Sequence, residues 1–157
     1  MTPIETKAND ANNIVNRYML GSVAVGIVPI PIVDIAALSS LQVKMLHSLA
    51  KLYGVEFSKN LGKSLIASLL GSGIPFSLAR NAASAAKSIP LYGQMTGMIS
   101  MSILGGASTY ALGKVFIQHF ESGGTFLTFD PQKVKAYYAE QLEKGKEKLK
   151  GGAGIKP

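Results

Sequence analysis

The chain has 157 residues, enough for one domain with a real core, and it is 47% hydrophobic but only 16% charged, where about 25% charge is usual. It has no cysteine, which excludes disulfides, thiolate metal sites and cysteine nucleophiles; its net charge of +7 suits an anionic membrane surface, nucleic acid or an acidic partner. A mean hydropathy of +0.24 with so few charges predicts that some apolar surface is covered by a bilayer or a partner rather than by water.

The opening, MTPIETKANDANN, is polar and carries acids, so it lacks the charged-then-apolar order of a secretory signal. Ile4 to Gly26 reads as a helix that is polar at first and apolar and small after Arg17; from Tyr18 to Val33 no residue is charged. Pro29 and Pro31 interrupt that run. Proline lacks the N–H and disfavours helix in the residue before it, so a hinge is expected between two helices. The second helix is expected to start at Pro31 or Ile32 and end at Tyr53-Gly54, with glycine as the C-terminal cap. Leu38, Leu41, Met45, Leu49 and Leu52 form its apolar face, and Ser40, Lys44, His47 and Lys51 a polar one. Asp34 falls in the first turn, where a carboxylate meets free N–H groups and the positive end of the dipole, worth ~0.3–1 kcal/mol; the alternative reading of Asp34 is a buried functional acid.

After YGVEFS a third helix is expected from Ser58, a candidate N-cap, to about Gly71, and another from about Pro75 to Lys87. Ser88 to Gly113 is the longest uncharged run, and about 20 residues suffice to cross a bilayer. It is also rich in small residues. Gly93 and Gly97 form a GxxxG pair, and Gly105 and Gly106 follow; each glycine weakens a helix by roughly 0.5–1 kcal/mol, so close helix packing is expected at these positions. The helix continues through Tyr110, Val115, Phe116 and Phe120 and stops near Ser122-Gly123-Gly124. Phe126, Leu127 and Phe129 read as an apolar, extended linker. Asp130 followed by Pro131 is a strong helix start, cap then proline. The last helix buries Val134, Tyr137, Tyr138 and Leu142, and beyond Gly145 charges dominate up to a frayed GGAGIKP end. Lys146 and Lys148 are expected on solvated faces.

No constellation for chemistry stands out. LGKS, Leu61 to Ser64, resembles the end of a phosphate-binding loop, but Phe57 stands where that loop needs glycine and no strand precedes it. His47 and His119 have no neighbouring second ligand, so no metal is expected. Glu56 reads as a capping residue. The Lys-rich tail interleaves Glu143 and Glu147 and reads as a solvated helix face rather than a nucleic-acid surface. No catalytic residue and no cofactor is expected.

The passages IPIVDIAALSSLQVKMLHSLAKLYGVEFS, LIASLLGS, KSIPLYG, GGASTYALGKVFIQHFESGGTF and FDPQKVKAYY taken together resemble the bacterial domain of unknown function related to the YcjF proteins, domain-of-unknown-function family 697. The resemblance runs from about residue 23 to 138. It implies a helical, membrane-associated module, found alone or C-terminal to Era/Ras-like GTPase domains, and implies no catalytic residues.

The expectation is thus an all-α protein, a compact bundle of about five helices with proline and glycine hinges and one long glycine-rich apolar helix. It forms a single domain over 1–150 with a flexible tail at 151–157. The expected role is non-enzymatic: peripheral to or partly inserted in the cytoplasmic face of a bacterial inner membrane, anchoring or coupling an Era/Ras-like GTPase. The alternative is a cytoplasmic, soluble interaction module that forms a homo-oligomer through its glycine-rich helix. No nucleic-acid partner is expected.

Overall fold

The computed structural model describes residues 2–26, 31–73 and 92–152, with backbone alone at 26, 31–35, 71–73, 92–101 and 152. The described residues form five helices: α1 (Pro3–Gly26), α2 (Pro31–Tyr53), α3 (Lys59–Gly73), α4 (Tyr92–Glu121) and α5 (Pro131–Gly152). No strand occurs among them. The expected helix over 75–87 and the proline turn at Pro90 lie outside the described residues.

Local chemistry sets the boundaries. A capping box opens α1, in which the Thr2 hydroxyl accepts the Glu5 N–H at 3.2 Å and the Glu5 carboxylate accepts the Thr2 N–H at 2.8 Å. Gly54 at φ +69° ends α2, a left-handed geometry that glycine adopts at no steric cost. The Ala50 carbonyl accepts the Val55 N–H at 2.8 Å across that turn. At α5 the Asp130 carboxylate accepts the Gln132 N–H at 3.0 Å, and Pro131 is the first helical residue.

Long-range contacts fix the arrangement. α1 runs antiparallel to α4: Ser22 meets Thr109, and the Lys114 ammonium donates to the Asn12 amide oxygen. α2 runs parallel to α4, since Gln42 reaches Ser108 and Tyr53 reaches Glu121. α5 runs back along α4, with Leu149 against Gly106 and Gly145 against Ala107. α3 returns antiparallel beside α2, with Leu46 next to Gly62. α4 is the central element and carries the fully buried Phe116, Val115 and Ala111.

Two expectations need correction. The segment from Phe126 to Phe129 is a turn, not an extended linker: Thr128 N–H donates to the Thr125 carbonyl at 3.3 Å, while Phe126 and Phe129 enter the core. Phe129 stacks on Phe116 with centroids 4.4 Å apart and planes 3° from parallel, and burial of both rings drives the chain to fold back. The long glycine-rich helix forms as α4, with 30 residues, but no helix among the described residues is long and apolar enough to cross a membrane. Its serines, threonines and glycines lower its hydropathy, and its Ser108 and Thr109 hydroxyls are hydrogen-bonded inside the bundle.

Candidate functional site

The topology brings together what the sequence keeps apart. α1 ends, α2 begins, α3 ends, α4 begins and α5 ends at the same end of the bundle. The described parts of three runs without a charged side chain, residues 18–26 with 31–33, 64–73 and 92–113, therefore converge there. The opposite end holds the 54–58 and 122–130 turns and the aromatic cluster of Phe57, Phe116, Phe120, Phe126 and Phe129.

Counting inward from the uncharged end, the first charge on each helix is a cation, with one exception. It is Arg17 on α1, Lys63 on α3, Lys114 on α4 and Lys150 on α5; on α2, Asp34 precedes Lys44. Contacts between the helices place Arg17, Lys44, Lys63 and Lys114 within about two helical turns of one height, ~11 Å along the axis. The nearest acids of α1 and α4, Asp10 and Glu121, lie about two turns from Arg17 and Lys114, on the side away from the uncharged end. On α5 the band is mixed: Lys144 pairs with Glu140 at 2.7 Å and Lys146 with Glu143 at 2.9 Å.

Inside the uncharged half, α1, α2 and α4 are joined by hydroxyls and one amide. Gln42, fully buried, donates to Ser108 Oγ and Thr109 Oγ1, both at 3.2 Å. Ser22 Oγ lies 2.8 Å from Thr109 Oγ1, and the Ser108 and Thr109 hydroxyls donate back to the Gly105 carbonyl at 2.9 and 3.0 Å. Gln42 Oε1 and Ser102 Oγ are buried without a partner.

A second polar feature lies in the groove between α1 and α5, floored by α4. Lys114 and Lys148 stand 5.6 and 5.3 Å from the centroid of the same ring, Tyr110. Each ammonium bonds a neutral amide: Lys114 that of Asn12, Lys148 that of Asn16 at 3.0 Å. Burial first, and the charge of Lys148 next, hold the Lys114 ammonium below the ordinary lysine value; Glu121 opposes this and Lys144 adds to it. Lys148, exposed as the sequence predicts, also reaches across to α1.

The structure distributes the sequence-expected residues as follows. Pro29 lies outside the described residues; Pro31 is the first residue of α2 and Asp34 the fourth. Gly93 and Gly97 lie in the first turns of α4. A methyl on Gly105 would meet Leu38 at 3.8 Å, an ordinary contact, whereas one on Gly106 would lie 2.6 Å from Val23 and 2.8 Å from Leu149. The sequence reading missed two further close approaches, Gly113 against Val15 and Gly145 against the Ala107 backbone at 3.0 Å. Asp130 and Pro131 open α5, and Asp130 is about as far from the uncharged end as the fold allows.

The remaining candidates have structural surroundings. Gly62 of the LGKS fragment lies in the first turn of α3 and its N–H donates to the Ser58 carbonyl at 2.8 Å, so it is not free to cradle a phosphate. Glu56 is exposed, and it is the Ser58 hydroxyl that accepts a helix N–H, from Leu61 at 3.4 Å. His47 stacks on Phe57 with centroids 4.7 Å apart. His119 Nε2 lies 2.7 Å from the Thr125 carbonyl and its ring covers Gly124. No group of three or more histidine or acidic side chains among the described residues could hold a metal.

These features define a class: an all-α bundle, polarised end to end, whose described polar groups tie helices together. Sequence comparison gives the family. Residues 4–147 match the family described as Domain of unknown function (DUF697), and the chain belongs to it. It is also similar to Magnetosome membrane protein 22 of Magnetospirillum gryphiswaldense, 43% identical over 137 residues, covering 87% of this chain and 70% of that protein. No solved structure matches it.

Proposed function

We propose that this protein is a non-enzymatic, membrane-associated helical module that lowers the uncharged end of its bundle into the cytoplasmic face of a bacterial membrane. The observation that carries this reading is the gathering, among the described residues, of uncharged helix segments at one end, with cations next on α1, α3 and α4 behind them. Lysine and arginine stems lie along apolar surface while their heads reach anionic headgroups, each worth about 1 kcal/mol near the surface. Leu20, 61% exposed in the uncharged half of α1, fits contact with acyl chains. The similarity to a magnetosome membrane protein supports the same reading. With no described helix apolar enough to span, the reading is partial insertion, not crossing.

Once docked, the module anchors or couples an Era/Ras-like GTPase; this part rests on the family resemblance. Gly106, Gly113 and Gly145 are filled by the chain's own helices, which leaves them no room to pair a second copy.

Vesicle co-sedimentation tests the membrane reading. The protein should pellet with phosphatidylglycerol-containing vesicles, less with phosphatidylcholine alone, and salt should weaken but not abolish binding. Protein left in the supernatant with anionic vesicles at low salt refutes it. Purification of the native protein from detergent extract tests the partner: GTP hydrolysis should copurify, and its absence refutes the coupling while leaving the membrane reading standing.

A further inference from the structure

We infer that the groove between α1 and α5 is a binding site for a dianionic phosphate group, held by Lys114 and Lys148 over Tyr110 with the Asn12 and Asn16 amides beside it. The inference deepens the membrane reading by naming a headgroup class, a phosphomonoester.

The argument begins with an imbalance. Lys114 is half-buried and hydrogen-bonds a neutral amide; the acid that acts on it, Glu121, stands two helical turns further along α4 and forms no ion pair with it. Lys148, from another helix, brings a second cation to the same ring rather than an acid. Two like charges at one site are unfavourable unless something between them is negative. Lys144, one turn from Lys148, adds to the field although it also pairs with Glu140. The groove has a floor and two walls: α1 and α5 each pack on α4 but not on one another, and Lys148 to Asn16 bridges them. An ammonium pair presents up to six donors, and only one on each lysine is used, on the Asn12 and Asn16 amide oxygens, while the Asn12 NH2 donates to the Ala8 carbonyl at 2.9 Å; the remaining N–H groups can meet an added oxygen acceptor. A phosphate carrying two charges matches two lysines better than a phosphodiester carrying one. The site stands at the height of the cation band, where headgroups lie if the uncharged end is inserted.

The test compares phosphatidylcholine vesicles carrying phosphatidic acid with vesicles carrying phosphatidylglycerol at matched surface charge. The full chain should bind phosphatidic acid roughly tenfold more tightly, the scale of one charge-assisted hydrogen bond. Lys148→Gln and the double variant Lys114→Gln/Lys148→Gln should lose that preference, while phosphatidylglycerol binding falls by no more than about fivefold per lysine removed. Lys148→Gln removes an exposed, repelled cation, so it should melt no lower than the parent. Equal affinity for both lipids, or a preference that survives in the variants, overturns the inference and leaves the membrane reading intact. If no vesicle is bound, the membrane reading fails and inorganic phosphate decides: a rise in the parent's melting temperature that Lys148→Gln lacks supports a soluble phosphate ligand, and no rise overturns the site.

Discussion

Neighbouring glycines in α4 should respond to the same substitution with opposite signs. Alanine at Gly105 places a methyl 3.8 Å from both Leu38 methyls and 3.9 Å from the Ser22 carbonyl, all at ordinary contact. The change removes the helix cost of glycine, so it should stabilise by ~0.5–1 kcal/mol. Alanine at Gly106 gains the same term but places its methyl 2.6 Å from Val23 Cγ2, 2.8 Å from Leu149 Cδ1 and 3.3 Å from the Met19 carbonyl. Val23 belongs to α1 and Leu149 to α5, so relief on one side does not help the other. The β-branched valine has little rotamer freedom, and Leu149 is buried. Overpacking costs ~1–3 kcal/mol, which outweighs the gain and leaves a net loss of about 1–2 kcal/mol. In a chain of this length each kcal/mol moves the melting temperature by ~2–4 °C. Thermal unfolding followed by circular dichroism should therefore show Gly105→Ala melting above the parent and Gly106→Ala several degrees below it. If Gly106→Ala melts at or above the parent, α1 and α5 do not close on α4 as described.

Asp130→Ala should destabilise by ~0.5–2 kcal/mol in urea unfolding, because the Gln132 N–H loses its acceptor, whereas Asp130→Asn should stay near the parent. Gly124→Ala drives a methyl into the His119 ring and should cost ~1–3 kcal/mol; in a His119→Ala background the same change should be close to neutral, so a double-mutant cycle should give a coupling above about 1 kcal/mol. Burial pushes the Tyr138 phenol up to about 12. The unfolded chain therefore loses its proton first, so stability should fall as pH rises from about 10 toward 12, and Tyr138→Phe should flatten that decline in pH-dependent unfolding. Leu20→Asp should leave the melting temperature near the parent, since the side chain is exposed, yet weaken binding to anionic vesicles by tenfold or more, on the order of the 2 kcal/mol for burying a leucine.

Helix ends were legible because they are set within a few residues. Gly54 must turn left-handed, Asp130 caps its own helix, and Pro31 starts α2 because proline suits a first turn. Pairings across the bundle were not legible. Glycine spacing pointed to Gly105 and Gly106 alike, but only the positions of Val23 on α1 and Leu149 on α5, both remote in sequence, separate the tolerant site from the crowded one. Gly145 read as the point where charge takes over, yet it is where α5 approaches the α4 backbone. The groove was equally hidden, since Lys114, Lys148 and Asn12 come from three helices and each alone looks like a surface residue. The Phe126 turn did leave a signal: phenylalanines three apart, behind a double glycine, suit a tight turn with both rings inward.

The packing chemistry itself changes along the bundle. At the charged end helices meet through aromatic rings, Phe116 against Phe129, Phe120 and Phe126, with Tyr53 tilted onto Phe120. At the uncharged end they meet through glycine, hydroxyls and one amide, at Gly106, Ser22, Thr109 and Gln42. Ring burial stabilises strongly where the alternative is water. Where the alternative is lipid, that advantage disappears, and close backbone approach with interhelical hydrogen bonds takes over. A partly inserted bundle meets both conditions along one axis, so it gains from aromatic packing on the wet side of the cation band and from small and hydroxyl side chains beyond it. The division of the core follows the same boundary as the division of surface charge, although core and surface contribute different residues to it.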